Sequence, residues 1–293
     1  MSELKLIGPR LHDLGDGFIV RRLLPAVGQQ SVGPFIFFDH FGPVLVKPGK
    51  GNNVRPHPHI GLATVSYLFE GAIMHRDTLG SVQLVEPGAV NLMASGKGIV
   101  HSEREPESLK GTGYQLHGLQ LWLALPAHLE EMDPVFMHTP ASAIPTVTLG
   151  DAHIRILIGQ VDQQISSVTA FTDTLYLDVQ LAANGKLTLP VLAEEMGLYA
   201  VSGAMQIDGV TVAANTFVVL PANQPVTIST TEALHLMVVG GAALPEKRTI
   251  WWNFVSTRKD RIIQAAEDWE HQRMGTIEGD EEFIPLPPVN WNN

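Results

Sequence analysis

From Leu62 to Leu125 the chain is cut into short apolar runs by glycine and proline, and no long helix survives such punctuation. Thr64-Val65-Ser66-Tyr67-Leu68-Phe69 alternates, Glu70-Gly71 turns, and Ala72 to Asp77 returns. Leu79-Gly80 turns again before Val82 to Val85, Pro87-Gly88 precedes Ala89 to Met93, and His117 to Leu125 closes the series. Turns recurring every 8–12 residues or so predict an antiparallel sandwich or barrel. A small barrel of this kind can hold one ligand in its interior. Leu4 to Val46 adds further short strands, with a turn at Gly15-Asp16-Gly17 and an aromatic run from Pro34 to Phe38.

A histidine pair and a histidine–glutamate pair frame the punctuated stretch. Arg55-Pro56-His57-Pro58-His59 opens it and His101-Ser102-Glu103 lies near its end. Each proline disfavours helical backbone before it, so Val54 to Ile60 reads as extended. Side chains then alternate, which puts His57 and His59 on one face and His101 and Glu103 on one face of a second segment. Facing each other, the two segments gather three imidazoles and a carboxylate around one point. A nitrogen and oxygen set without thiolate suits iron, nickel, copper or manganese, and also zinc. Asp39 and His40, which end the aromatic run, are expected to cap a turn, the alternative being a place beside the ion. His75 is expected on an exposed hairpin and His117 in the core. Lys47 to Asn53 is turn chemistry; neither it nor Gly96-Lys97-Gly98 has the spacing of a phosphate loop.

Gly51 followed by His57 and His59 matches the first half of the cupin motif, and the stretch more closely resembles pirin. The resemblance is carried by Phe38-Asp39-His40-Phe41, His57-Pro58-His59-Ile60-Gly61, Thr64 to Gly71, Gly96 to Glu103 and His117 to Trp122. It runs closely from about Gly33 to Leu125 and more loosely to the C-terminus. It implies that His57, His59, His101 and Glu103 hold a non-haem iron. Two departures from the general cupin pattern stand out: Ala63 and Thr64 replace the glutamate expected after His59, and His101 lies further beyond Gly96. Glu103 then supplies the carboxylate.

The second half repeats the first. Leu198 to Met205 echoes Tyr67 to Ile73, with Gly203 lying 132 residues beyond Gly71. At that offset Leu189 and Val191 stand where His57 and His59 stood. Matching Phe217 to Pro221 with Ala89 to Met93 puts Ser229 and Thr231 opposite His101 and Glu103. The expected fold is therefore all-β, with two tandem cupin barrels (antiparallel, jelly-roll) and a C-terminal helix. Residues 1–135 form the metal-binding domain. Residues 136–293 form a metal-free domain with a helical tail, its barrel running from about Thr146 to Gly240. His153 and His235 are expected there as ordinary polar or core histidines. Pro126 to Pro145 reads as the connection. Thr257 to Met274 places Ile262, Ile263, Ala266 and Trp269 on one helical stripe, with Gly275 ending the helix.

The chain of 293 residues carries a net charge of −11, which argues against a nucleic-acid surface. There is no cysteine, so disulfides and thiol nucleophiles are excluded. No apolar run reaches membrane-spanning length and Met1 to Leu14 lacks the pattern of a signal peptide, so the expected location is cytoplasmic. The expected cofactor is one divalent transition metal, Fe(II) first, with Mn, Ni, Cu or Zn admitted by the ligands. Three neutral imidazoles and one carboxylate leave such an ion a net charge of about +1, which attracts an anionic chelating oxygen. Resemblance to pirin then implies a dioxygenase that opens flavonols such as quercetin with O2, Glu103 serving as ligand and catalytic base. The alternative it implies is a non-catalytic, metal- or redox-dependent partner of transcription regulators or metabolic enzymes. A monomer is expected.

Overall fold

The structure is a computed structural model that describes residues 4–14 and 18–288. Gly15-Asp16-Gly17, expected as a turn, lies outside them. Among the described residues strands dominate and one α-helix, Lys259–Glu270, follows them. No helix among the described residues is long and apolar enough to cross a membrane.

The chain forms two compact units, each an antiparallel barrel. One combines Phe41–His138 with the stretch from Pro245 onward; the other combines the stretch up to His40 with Thr139–Leu244. This differs from the expected cut at 135/136, because the two terminal segments change places. Lys5–Ile7 pairs with Phe217–Val219 of the second barrel, Lys5 opposite Val219. The helix packs its buried Ile262, Ala265, Ala266 and Trp269 on Ile60, Val100 and Phe254 of the first barrel. Backbone pairing and apolar burial decide membership, not sequence order.

In the first barrel, one sheet contains the neighbouring strands Val135–Thr139, Val90–Ala94, Leu62–Glu70 and Tyr114–Ala124. The other runs Val54–His59, Ile99–Arg104, Ile73–Asp77, Val82–Val85. Phe35–Val46 is a single twelve-residue strand, so Asp39 and His40 continue the strand and do not cap a turn. Val135–Thr139 also pairs as a strand, which shortens the expected connection. The helix ends at Glu270, before Gly275, with Gln272 turning the chain at a φ of 53°.

The small sheet of the second barrel, Lys186–Leu189, Val226–Ser229, Met205–Ile207, Val210–Val212, follows the same plan. Its register corrects the expected correspondence. Ser229 pairs with Lys186, and Leu189 with Val226. Alternation turns Leu187, Leu189, Val226 and Ile228 into the core, all buried. The matched inward pair is therefore Leu187 opposite Ile228, while Val191 is exposed. Apolar side chains, without the hydroxyls of Ser229 and Thr231, fill the place where the first barrel carries histidine opposite histidine.

Candidate metal centre

Strands Val54–His59 and Ile99–Arg104 pair antiparallel with His57 opposite His101 and His59 opposite Ile99. One face of this ladder therefore carries all three imidazoles. Their donor atoms lie within 4.8 Å of one another, and His57, His59 and His101 are all buried. His57 Nδ1 donates to the Arg55 carbonyl at 2.9 Å, and His59 Nδ1 to the Asn253 carbonyl at 3.2 Å. Both bonds leave Nε2 as the free lone pair.

His59 Nε2 faces His101 Nε2 at 3.1 Å. Two nitrogens bound to one ion at about 2.1 Å stand roughly 3.0–3.4 Å apart, between a right-angle and a tetrahedral arrangement. Burial lowers all three imidazoles: His57 to about 4, and His59 and His101 well below the ordinary histidine value, with their neighbouring histidines adding to the effect. Neutral, buried and converging, these nitrogens fit a divalent transition ion.

Gly61 explains how the Asn253 carbonyl reaches His59. Its φ is +67°, and a Cβ there would stand 1.9 Å from the Val255 carbonyl oxygen. Only glycine lets the Thr249–Trp251 and Phe254–Ser256 hairpin approach so closely. Glu130 fastens the same segment. Its carboxylate accepts from Ser256 Oγ at 2.8 Å and from Thr257 N and Oγ1 at 3.0 Å, and pairs with Arg248 Nε at 3.1 Å.

The sequence matches the Pirin family over residues 17–123 and the Pirin C-terminal cupin domain over residues 176–275. A pirin-like protein of Caulobacter vibrioides is 41% identical over 282 residues, covering 95% of this chain and 97% of its own. The chain belongs to the pirin family. A crystal structure of a quercetin 2,3-dioxygenase from Acinetobacter baumannii superposes with a TM-score of 0.92 at 33% identity, covering 99% of this pirin and 97% of that chain. A bacterial pirin from Escherichia coli, solved in complex with nickel(II), shares the fold at a TM-score of 0.65 and 16% identity, covering 82% of this chain and 100% of that one.

In this pirin the three histidines come together as the alternation requires. Glu103 follows across a bulge, opposite Val54 on one side and His75 on the other, and its carboxylate is not among the three converging donors. Burial raises its pKa, against the opposing influence of His75. Asp39 accepts two hydrogen bonds from Arg22 at 2.8 Å, and His40 Nδ1 lies 2.6 Å from the Tyr199 hydroxyl. His117 lies against the Phe69 ring, His235 bonds Asp178 at 2.8 Å, and His153 is exposed.

His75 is a correction, being 5% exposed where an open hairpin was expected. It stands opposite Glu103, its ring centroid 5.3 Å from that of His101, and its Nε2 donates to Asp77 Oδ2 at 2.9 Å. Asp77 Oδ1 accepts from the Leu79 and Ser81 amides. Phe136 stacks on His75 at 4.4 Å, and Trp122 meets His59 edge-on at 5.3 Å. The signal for His75 was present in sequence, because His75-Arg76-Asp77 repeats the spacing of His101-Ser102-Glu103.

Proposed function

We propose that this pirin is a flavonol dioxygenase of the quercetin 2,3-dioxygenase type, with His57, His59, His101 and Glu103 as the ligands of one iron(II) ion. The observation that carries the reading is the convergence of three buried, neutral imidazole nitrogens, with Trp122 edge-on to His59 and Phe136 stacked on the neighbouring His75. The similarity to the Acinetobacter baumannii quercetin 2,3-dioxygenase selects flavonols among the substrates such a site could take. When bound, the ion supplies Lewis acidity toward the neighbouring hydroxyl and carbonyl oxygens of a flavonol and the redox chemistry toward O2.

The chain's own residues do the remaining work. The carbonyls of Arg55 and Asn253 fix the tautomers that turn Nε2 of His57 and His59 toward the centre. Glu103 takes the proton of the flavonol 3-hydroxyl, being the carboxylate that follows His101 on its strand. Trp122 and Phe136 offer flat apolar surface to the flavonol rings and exclude water around them. Quercetin and O2 together balance to the ring-opened depside and one carbon monoxide, and the proton held by Glu103 returns to the product.

Glu103→Gln tests this assignment by replacing the base with a neutral amide of the same size. Quercetin turnover on iron-reconstituted protein is expected to fall at least a hundredfold, within the range general base catalysis spans, while quercetin binding changes far less. Equal turnover by the variant would remove Glu103 from the reaction.

A further inference from the structure

Asn91 lies on strand Val90–Ala94 opposite Ser66, and Ser66 lies opposite Gln120. Ser66 Oγ donates to Gln120 Oε1 at 2.8 Å, so these side chains stand on one face of the sheet. Trp122, two residues beyond Gln120, reaches His59 from that face. Asn91 therefore belongs to the wall that looks across the barrel at the histidines.

The neighbouring strand closes the circle. Phe136 stacks on His75, and His138, on the same face two residues later, places Nδ1 2.6 Å from Asn91 Oδ1. With Nδ1–H donating, the oxygen of Asn91 is satisfied and the amide is oriented. Asn91 is 4% exposed, yet its Nδ2 has no hydrogen-bond partner among the described residues. A buried donor left unmet is costly and rare in a folded protein. Here it stands in the wall of a barrel whose opposite side gathers the three histidines.

We propose that Asn91 Nδ2 is the pocket's donor to a substrate oxygen remote from the pair facing the metal, and that it selects ring-hydroxylated flavonols over unsubstituted ones. This rests on the flavonol reading of the site. Quercetin carries such oxygens on both outer rings; 3-hydroxyflavone has only the 3-hydroxyl, the neighbouring carbonyl and the ring oxygen.

The test compares these two compounds on metal-loaded wild type, Asn91→Asp and Asn91→Leu. Asn91→Asp keeps an acceptor for His138 and removes the donor; Asn91→Leu removes both without adding charge. Binding is read by quenching of tryptophan fluorescence, with kcat and KM measured alongside. Wild type is expected to hold quercetin about tenfold more tightly than 3-hydroxyflavone, and both variants to lose that preference. KM for quercetin rises by the same factor while 3-hydroxyflavone and metal content stay unchanged. Equal weakening of both compounds, loss of metal, or unchanged quercetin binding would overturn the assignment of Asn91 alone. Failure of wild type to bind either compound would overturn the flavonol reading, and this inference with it.

Discussion

Glu130→Ala should damage the first barrel twice, once in stability and once at the metal. Glu130 is 4% exposed and Arg248 5%, so the substitution leaves a buried guanidinium with only the Glu246 carboxylate, 3.5 Å away, and takes the acceptor from the Ser256 hydroxyl and the Thr257 amide. Breaking one side of a buried ion pair costs about 3–5 kcal/mol. Arg248 retains its bonds to the Leu125 and Glu246 carbonyls, which places the expected loss near the lower end, about 3 kcal/mol. Trp122, Trp251, Trp252 and Trp269 all belong to this unit, so urea unfolding followed by tryptophan fluorescence reads it selectively. The second effect passes through Asn253, whose carbonyl fixes the His59 tautomer from the segment that Glu130 fastens. Loosening a ligand's hydrogen-bond partner typically lowers metal affinity about 10–100-fold. Glu130→Met with Arg248→Met should lose less stability than the single change, because no charge is left stranded. A loss below about 1 kcal/mol, outside the range for breaking such a pair, would refute the stability argument. Full stability loss with unchanged metal affinity would refute the link to His59.

Two further outcomes follow from the histidines. A His59→Ala, His101→Ala double variant should bind less than a tenth of the metal held by wild type, measured by elemental analysis, since the one imidazole left of the three, His57, cannot hold the ion alone. Metal-free protein should lose stability as pH falls from about 6.5 toward 4. His57 is lowered from 6.5 to about 4 by burial, so in that window the unfolded chain binds more protons than the folded one. The stabilising contribution is complete above about 6.5, and urea midpoints at pH 7.5 and pH 5 measure it; a higher midpoint at pH 5 would contradict the assignment of neutral imidazoles.

The metal face was legible because a strand has a strict period of two. His57 and His59 needed only extended backbone to share a face, and the prolines supplied that constraint; His101 joins them through its register opposite His57. The same rule applied to His75 and Asp77, but the turn residues Thr78, Leu79 and Gly80 suggested an exposed hairpin. His75 is covered by Phe136, which stacks on its ring from 61 residues later and which no local pattern announces. The apolar nature of the second barrel was also legible, but its register was not. A slip between Leu189 and Leu187 preserves the pattern and changes the partner of every residue. The exchange of terminal segments between units depends on non-local pairing, such as Lys5 with Val219, for which short strands carry no address. Asn91 was invisible for a related reason, because an unmet donor is defined by everything around it.

The central claim, that three imidazoles and Glu103 make a flavonol-opening centre, is tested most directly by one coupled measurement. Metal-free protein is reconstituted separately with iron(II), manganese, nickel, copper and zinc, and O2 uptake and carbon monoxide release are followed together on addition of quercetin. The expected result is one carbon monoxide released per O2 consumed with iron(II), abolished by chelation and by the His59→Ala, His101→Ala variant. Normal metal binding with no turnover on any of the five ions would contradict the claim.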